Sequence, residues 1–210
     1  MPSRPLPLLV PLAGRFRVEN SPADRVPSHG THAFGSGYAI DFVPVDASGR
    51  SALPGLRRRW GSEPPEDFVG FGAPVLAPVS GRVVEVHDGA ADHPAHRSPL
   101  ARLAYAAGQA GRARDGASGL AGNRVVIAVG DAGPFVLIAH LRCGSAVVAV
   151  GDRVRAGQQV GACGNTGNST EPHVHVQASD STDWERAAGV PIAFRLPGGV
   201  RVPGTGEIVP

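Results

Sequence analysis

Between residues 123 and 179 the chain runs through NRVVIAVG, PFVLIAHL, SAVVAVGDRV, QQVGACG and HVHVQAS, each short, rich in β-branched residues and bounded by turn formers. Strand patterns at this spacing, separated by Gly turns, predict an all-β sandwich or barrel. GRFRVEN (14–20) and GYAIDFVPVD (37–46) predict further strands, and APVLAPVSGRVVEVHDG (73–89) predicts two around the turn Ser80–Gly81. The 29 Gly and 20 Pro agree with many strands joined by turns, since these residues punctuate and do not fill helices. A chain of 210 residues supports one domain with a sizeable core.

Three stretches depart from the β pattern. Residues 1–27 are proline-punctuated and read as an extended segment packing on the domain. Residues 90–121, rich in Ala, Gly and Arg, read as an insertion in a hairpin, with a short helix expected in SPLARLAYAAGQAGRAR from its Ser–Pro start. Residues 181–210 read as one helical turn near DWERAAG followed by loop, and 196–210 as a C-terminal tail. The principal domain is thus expected over 28–195.

Bulk properties exclude several functions. The net charge is +2, aromatics make up 5%, and the basic residues are scattered, so no nucleic-acid footprint is present. All 20 basic residues are Arg, a pattern we attribute to codon bias in a GC-rich genome. The triplet Arg57–Arg58–Arg59 lies in a Pro/Gly-rich loop and reads as a solvated turn. No stretch approaches the roughly 18 apolar residues of a membrane span. The start, MPSRPLPLLVPLAGRF, has prolines inside its apolar run and no recognisable signal peptide, which makes the cytoplasm the default expectation; non-standard export and a misassigned start stay open. Cys143 and Cys163 do not make a disulfide framework and are expected as free thiols.

The chemistry lies in the histidines and one acid. In EPHVHVQ (171–177), His173 and His175 are one residue apart; in a strand they share a face, about 7 Å apart from two steps of roughly 3.3 Å. Asp41 interrupts the apolar run YAIDFV, and a carboxylate there is costly to bury unless paired or bound to a cation. His29 and His32 lie upstream in SHGTH, and His140 ends the apolar run LIAH. Singly, each reads equally well as a satisfied core or surface group. Together they contain an open zinc site, which takes three N/O ligands and leaves a fourth position for water. His87, His93 and His96 read as strand-end or surface groups.

These residues resemble a known family. YAIDF, APVSGRVVEV, GNRVVIAVG, LIAHLRCGS, VGDRVRAGQQVGACGNTGNSTEPHVHVQ and GVPIAF are similar to segments of the lysostaphin-type (LytM-like) zinc metallopeptidases. The resemblance implies an antiparallel, partly open barrel or sandwich like that family's duplicated hybrid motif. It implies Zn²⁺ held by His29, Asp41 and His175, with His140 and His173 as catalytic, non-ligand histidines. The family commonly spaces its first His and Asp as HxxxD; here His29 precedes Asp41 by twelve positions and His32 by nine, so His32 is a rival first ligand.

The implied function is a zinc metalloendopeptidase acting on peptide or peptidoglycan, at Gly-containing cross-links or stem peptides of bacterial walls, through a metal-activated water. No general-base Glu of the HExxH kind is present, which argues against the helical zincin route. The alternatives are a non-catalytic peptidoglycan- or protein-binding module on the same fold and, further off, a histidine phosphotransfer carrier. GNTGNST (164–170) reads as a turn chain supporting the HxH strand.

Overall fold

The computed structural model describes residues 4–52, 62–96 and 116–210. Thirteen strands occur among them: β1 (Leu6–Leu8), β2 (Phe16–Glu19), β3 (Ile40–Pro44), β4 (Pro74–Leu76), β5 (Gly81–His87), β6 (Arg124–Ala128), β7 (Phe135–Ala139), β8 (Arg153–Val154), β9 (Gln159–Ala162), β10 (Val174–Ser179), β11 (Ile192–Leu196), β12 (Gly199–Arg201) and β13 (Ile208–Val209). One short α-helix, α1 (Gly116–Ala121), precedes β6, and a kinked 3-10 segment spans Ala33–Tyr38. Eight strands form one open antiparallel sheet in the order β13-β2-β3-β10-β7-β6-β5-β8. Two small sheets, β1-β11-β12 and β4-β9, complete the all-β architecture.

Alternation decides what each face of the large sheet carries. Ile40 and Phe42 of β3, Val125 and Ile127 of β6, Val136 and Ile138 of β7, and Val174, Val176 and Ala178 of β10 all enter the main core. There they meet Leu8, Val75, Val160, Ile192 and Phe194 from the two small sheets. Phe42 stands at the centre, edge-to-face with Phe16 at 5.1 Å and with Phe194 at 4.9 Å. The intervening residues point the other way. Asp41, His175, Gln177, Leu137 and Ala139 line a groove of about 480 Å³ on the opposite face.

The sheets are antiparallel as expected except at one edge, where β1 pairs in parallel with β11. The structure corrects three other expectations. Within SAVVAVGDRV only Arg153–Val154 is strand. A turn captures the rest: Asp152 accepts from the Ala149 amide at 2.8 Å, Gly151 has φ 99°, and Val147 and Val150 are left exposed. The C-terminal stretch is not loop but supplies β11, β12 and β13, with β13 closing onto β2. His93, expected at the surface, is half-buried and bonds the Gly167 carbonyl at 3.0 Å. The helix expected within 98–114, like the arginine triplet, lies outside the described residues. No helix of the described residues is long and apolar enough to cross a membrane, and Cys143 and Cys163 are both free.

Candidate metal centre

Register brings the first two groups together. In the β3–β10 pair His175 lies directly opposite Asp41, and in the β10–β7 pair it lies opposite Ala139. Residues opposite one another in an antiparallel ladder point to the same face. Asp41 and His175 therefore meet over the groove, with His175 Nδ1 at 2.9 Å from Asp41 Oδ1. His173 precedes β10 by one residue and turns to the same side, its Nε2 3.7 Å from the same carboxylate oxygen. His140 follows β7 with φ 62°, which lifts its ring out of the strand's alternation. Its ring centroid lies 4.7 Å from that of His173 and 5.8 Å from that of His175.

His29 arrives from the loop before β3. Ser28 anchors that loop: its Oγ–H donates to the Ala39 carbonyl at 2.7 Å. With its proton so used, Ser28 Oγ accepts from His29 Nδ1–H at 3.1 Å, leaving His29 Nε2 with its lone pair 3.1 Å from Asp41 Oδ2. One nitrogen each from His29 and His175 and one oxygen from Asp41 lie within 4.8 Å of one another. His32 is exposed on the outer side of the 3-10 turn and is not part of this set.

The donor chemistry suits a cation. Main-chain carbonyls can only accept, so they fix the protonated nitrogen of each remaining ring. His140 donates Nδ1–H to Thr166 O at 2.9 Å, and His173 donates Nδ1–H to Glu171 O at 2.8 Å. His175 turns Nε2 to Gln177 Oε1 at 3.0 Å. The inward nitrogens of His29 and His175 are then lone pairs facing carboxylate oxygens at hydrogen-bond distance. Acceptors so arranged repel unless a cation or a proton sits between them. An N₂O set of this kind is the chemistry of a three-ligand zinc site.

The ionisation of the cluster points the same way. Burial works to raise the Asp41 pKa, but the His29 and His173 imidazoles, and the bonds that His175 and His29 donate whenever a proton sits on their inward nitrogens, outweigh it and hold the carboxyl well below its usual range. For His175 burial works downward, yet the bond and charge of Asp41 and the bond to Gln177 leave its pKa raised. His140 is held well below its ordinary value, by burial first and then by the neighbouring His173 and His175. It is therefore neutral near pH 7.

Sequence reasoning missed three supports. Asn20, in a left-handed backbone conformation (φ 49°), donates Nδ2–H to Asp41 Oδ2 at 2.8 Å. Ser169 bonds His173 Nδ1 at 3.0 Å. Gln177 was visible in principle, since HxHxQ puts all three polar side chains on one strand face. The 164–170 turn chain supplies Thr166 and Ser169, as a support for the HxH strand should. It lies so close to the end of α1 that a Cβ on Gly167 would fall 2.5 Å from the Gly122 amide, and glycine is required at both positions.

Residues 101–186 match the sequence model of peptidase family M23. No curated protein matches the chain. Among solved structures, the catalytic domain of the antimicrobial peptidase lysostaphin from Staphylococcus simulans is 20% identical, with 84% of this chain and 87% of that one covered and a TM-score of 0.42. LytU is 23% identical over 72% of this chain and 68% of that one, with a TM-score of 0.40. The solution structure of lysostaphin is 24% identical at a TM-score of 0.39, over 72% of this chain, and the chain spans only 40% of its length.

Proposed function

From its LytM-like character and its family M23 match over residues 101–186, we propose that this chain is a zinc metalloendopeptidase that hydrolyses peptide bonds of bacterial cell-wall type, in Gly-containing cross-links or stem peptides. The observation that carries the reading is the convergence of His29, Asp41 and His175 on the groove face, with His140 and His173 beside them. Every position that such a site needs is filled, which favours catalysis over a binding module on the same fold.

His29 through Nε2, Asp41 through its carboxylate and His175 through Nδ1 would hold the ion. Zinc held there supplies Lewis acidity toward a peptide carbonyl and brings the pKa of a bound water down to roughly 7. The protein's own part is proton handling and orientation. His140 and His173 each have Nδ1–H tied to a main-chain carbonyl, so each presents a lone pair at Nε2 to the groove. Either can take the proton that the attacking water gives up and return it to the leaving amine. Once protonated, the same ring can donate to oxygen charge developing on the scissile carbonyl. The bonds from Thr166, Glu171 and Ser169 hold the two rings during the exchange. Asn20 holds the carboxylate in turn.

The test is metal content followed by turnover. Protein purified without a histidine tag or chelator should carry about one zinc per chain by elemental mass spectrometry. It should then cleave glycine-containing or wall-derived peptides in a chelator-sensitive way. Protein that neither carries zinc nor retains added zinc would overturn the proposal.

A further inference from the structure

Each imidazole in the groove is held on its outer nitrogen, and three of the four holds use a main-chain carbonyl or a serine hydroxyl: Ser28 for His29, Thr166 for His140 and Glu171 for His173. His175 is held differently. Its outer partner is the carboxamide of Gln177, two residues along β10 and on the same face. A carboxamide can present either end to a neighbour, so alone it would not decide which nitrogen of the ring carries the proton.

The Phe34 carbonyl removes that freedom. It lies 2.7 Å from Gln177 Nε2 and can only accept, so the amide nitrogen must donate there. Oε1 must then face His175, the His175 proton must sit on Nε2, and Nδ1 is left inward toward Asp41 at 2.9 Å. A cation or a second proton between Nδ1 and the carboxylate leaves this outer bond unchanged.

The anchor is itself constrained. Phe34 adopts φ 58°, ψ 23°, a left-handed conformation unusual for a bulky side chain, and Gly35 follows at φ 73°. A Cβ on Gly35 would fall 3.0 Å from Ser179 Cβ and 3.5 Å from Gln177 Nε2, so the turn lies directly on β10. Gln177 is buried at 5% exposure, where losing either bond would leave a polar group unpaired at a cost.

We propose that Gln177 is a positioning residue: it selects Nδ1 as the His175 nitrogen offered to the metal, with the strained Phe34 turn as its anchor. The proposal rests on the zinc-site reading above. A ring free to place its proton on Nδ1 would point that proton at the cation, and affinity would fall by the fraction of rings so arranged. Outer partners of metal-bound histidines typically contribute about 10–100-fold in affinity.

The experiment uses the whole chain loaded with zinc. Nitrogen NMR of the imidazoles should show His175 bound through Nδ1 with a slowly exchanging Nε2–H. In Gln177→Met, similar in length but without an acceptor for that proton, the Nε2–H signal should be lost to solvent exchange. Its zinc dissociation constant, measured by chelator competition, should rise about 10–100-fold. Gln177→Glu keeps an acceptor for the Nε2 proton but loses the donor to Phe34, so it should restore the Nε2–H signal and recover the affinity only in part. His175 bound through Nε2 in the unsubstituted protein, or unchanged affinity and exchange in Gln177→Met, would overturn the role of Gln177 alone. An unsubstituted chain that binds no zinc would instead remove the metal site itself, and this role with it.

Discussion

Along β10 the side chains at 174, 176 and 178 are Val, Val and Ala, packed in the core, while those at 175, 177 and 179 are His, Gln and Ser on the groove side. β3 repeats the division with Ile40 and Phe42 against Asp41, and β7 with Val136 and Ile138 against Leu137 and Ala139. The core face is generic: apolar residues of suitable volume satisfy it. The groove face is specific, because each polar atom there needs a named partner at a fixed distance. Stability and chemistry are thus borne by opposite faces of the same strands, one residue apart, and a substitution on one face should leave the other largely intact.

The sharpest break of this separation is Asp41→Ala. It removes the only carboxylate in the ligand set, so zinc content should fall from about one per chain to near zero while the far-UV circular dichroism spectrum is kept. Stoichiometric zinc retained by this variant would sink the ligand assignment. The counterpart on the other face is Phe42→Ala. Phe42 is fully buried between Phe16 and Phe194, and truncation should cost about 3–5 kcal/mol, a large part of a typical domain's stability. Denaturant unfolding measures that loss. Zinc bound per folded chain should stay unchanged, and its loss would show that the two faces are coupled.

A finer division lies within the groove. His173→Ala takes away a proton carrier and no proposed ligand, so zinc should stay bound while turnover on a wall-derived peptide drops about 10²–10⁴-fold. Metal lost from this variant would mean that His173 and His175 exchange roles.

The same contrast explains what was legible in the sequence. The core face announces itself by period-two apolar runs, and β2, β3, β5, β6, β7, β9 and β10 all fall within expected strands. β12 and β13, at three and two residues, are too short to leave a periodic signal and exist only because β11 and β2 pair with them. Val147 and Val150 show the converse: a β-branched run became loop because a Gly–Asp turn and the lack of burial outweighed propensity. In the groove, the candidate residues could be named from their chemistry and their roles from the family resemblance. Gln177 apart, those that orient them could not, because Ser28, Thr166 and Asn20 act through a hydroxyl, a main-chain carbonyl and an amide whose partners are fixed only by the fold.

The smallest expected effect tests the least legible choice, that between His29 and His32. Spacing could not separate them, since neither matches the common HxxxD interval. In the fold the two differ by a single turn. Ser28 binds the Ala39 carbonyl and orients His29 over Asp41, whereas His32 sits at the start of the 3-10 segment, exposed, its ring against Gly37, where a Cβ would fall 2.5 Å from Nδ1. His32→Ala should therefore change zinc affinity by less than about twofold, the scale of an ordinary surface substitution. His29→Ala in the same chelator competition should weaken it by about two to three orders of magnitude, a ligand's share of a typical zinc-binding free energy. If the two variants reversed that order, the loop would have to rearrange on metal binding so that His32 replaces His29, and Ser28 would lose its orienting role.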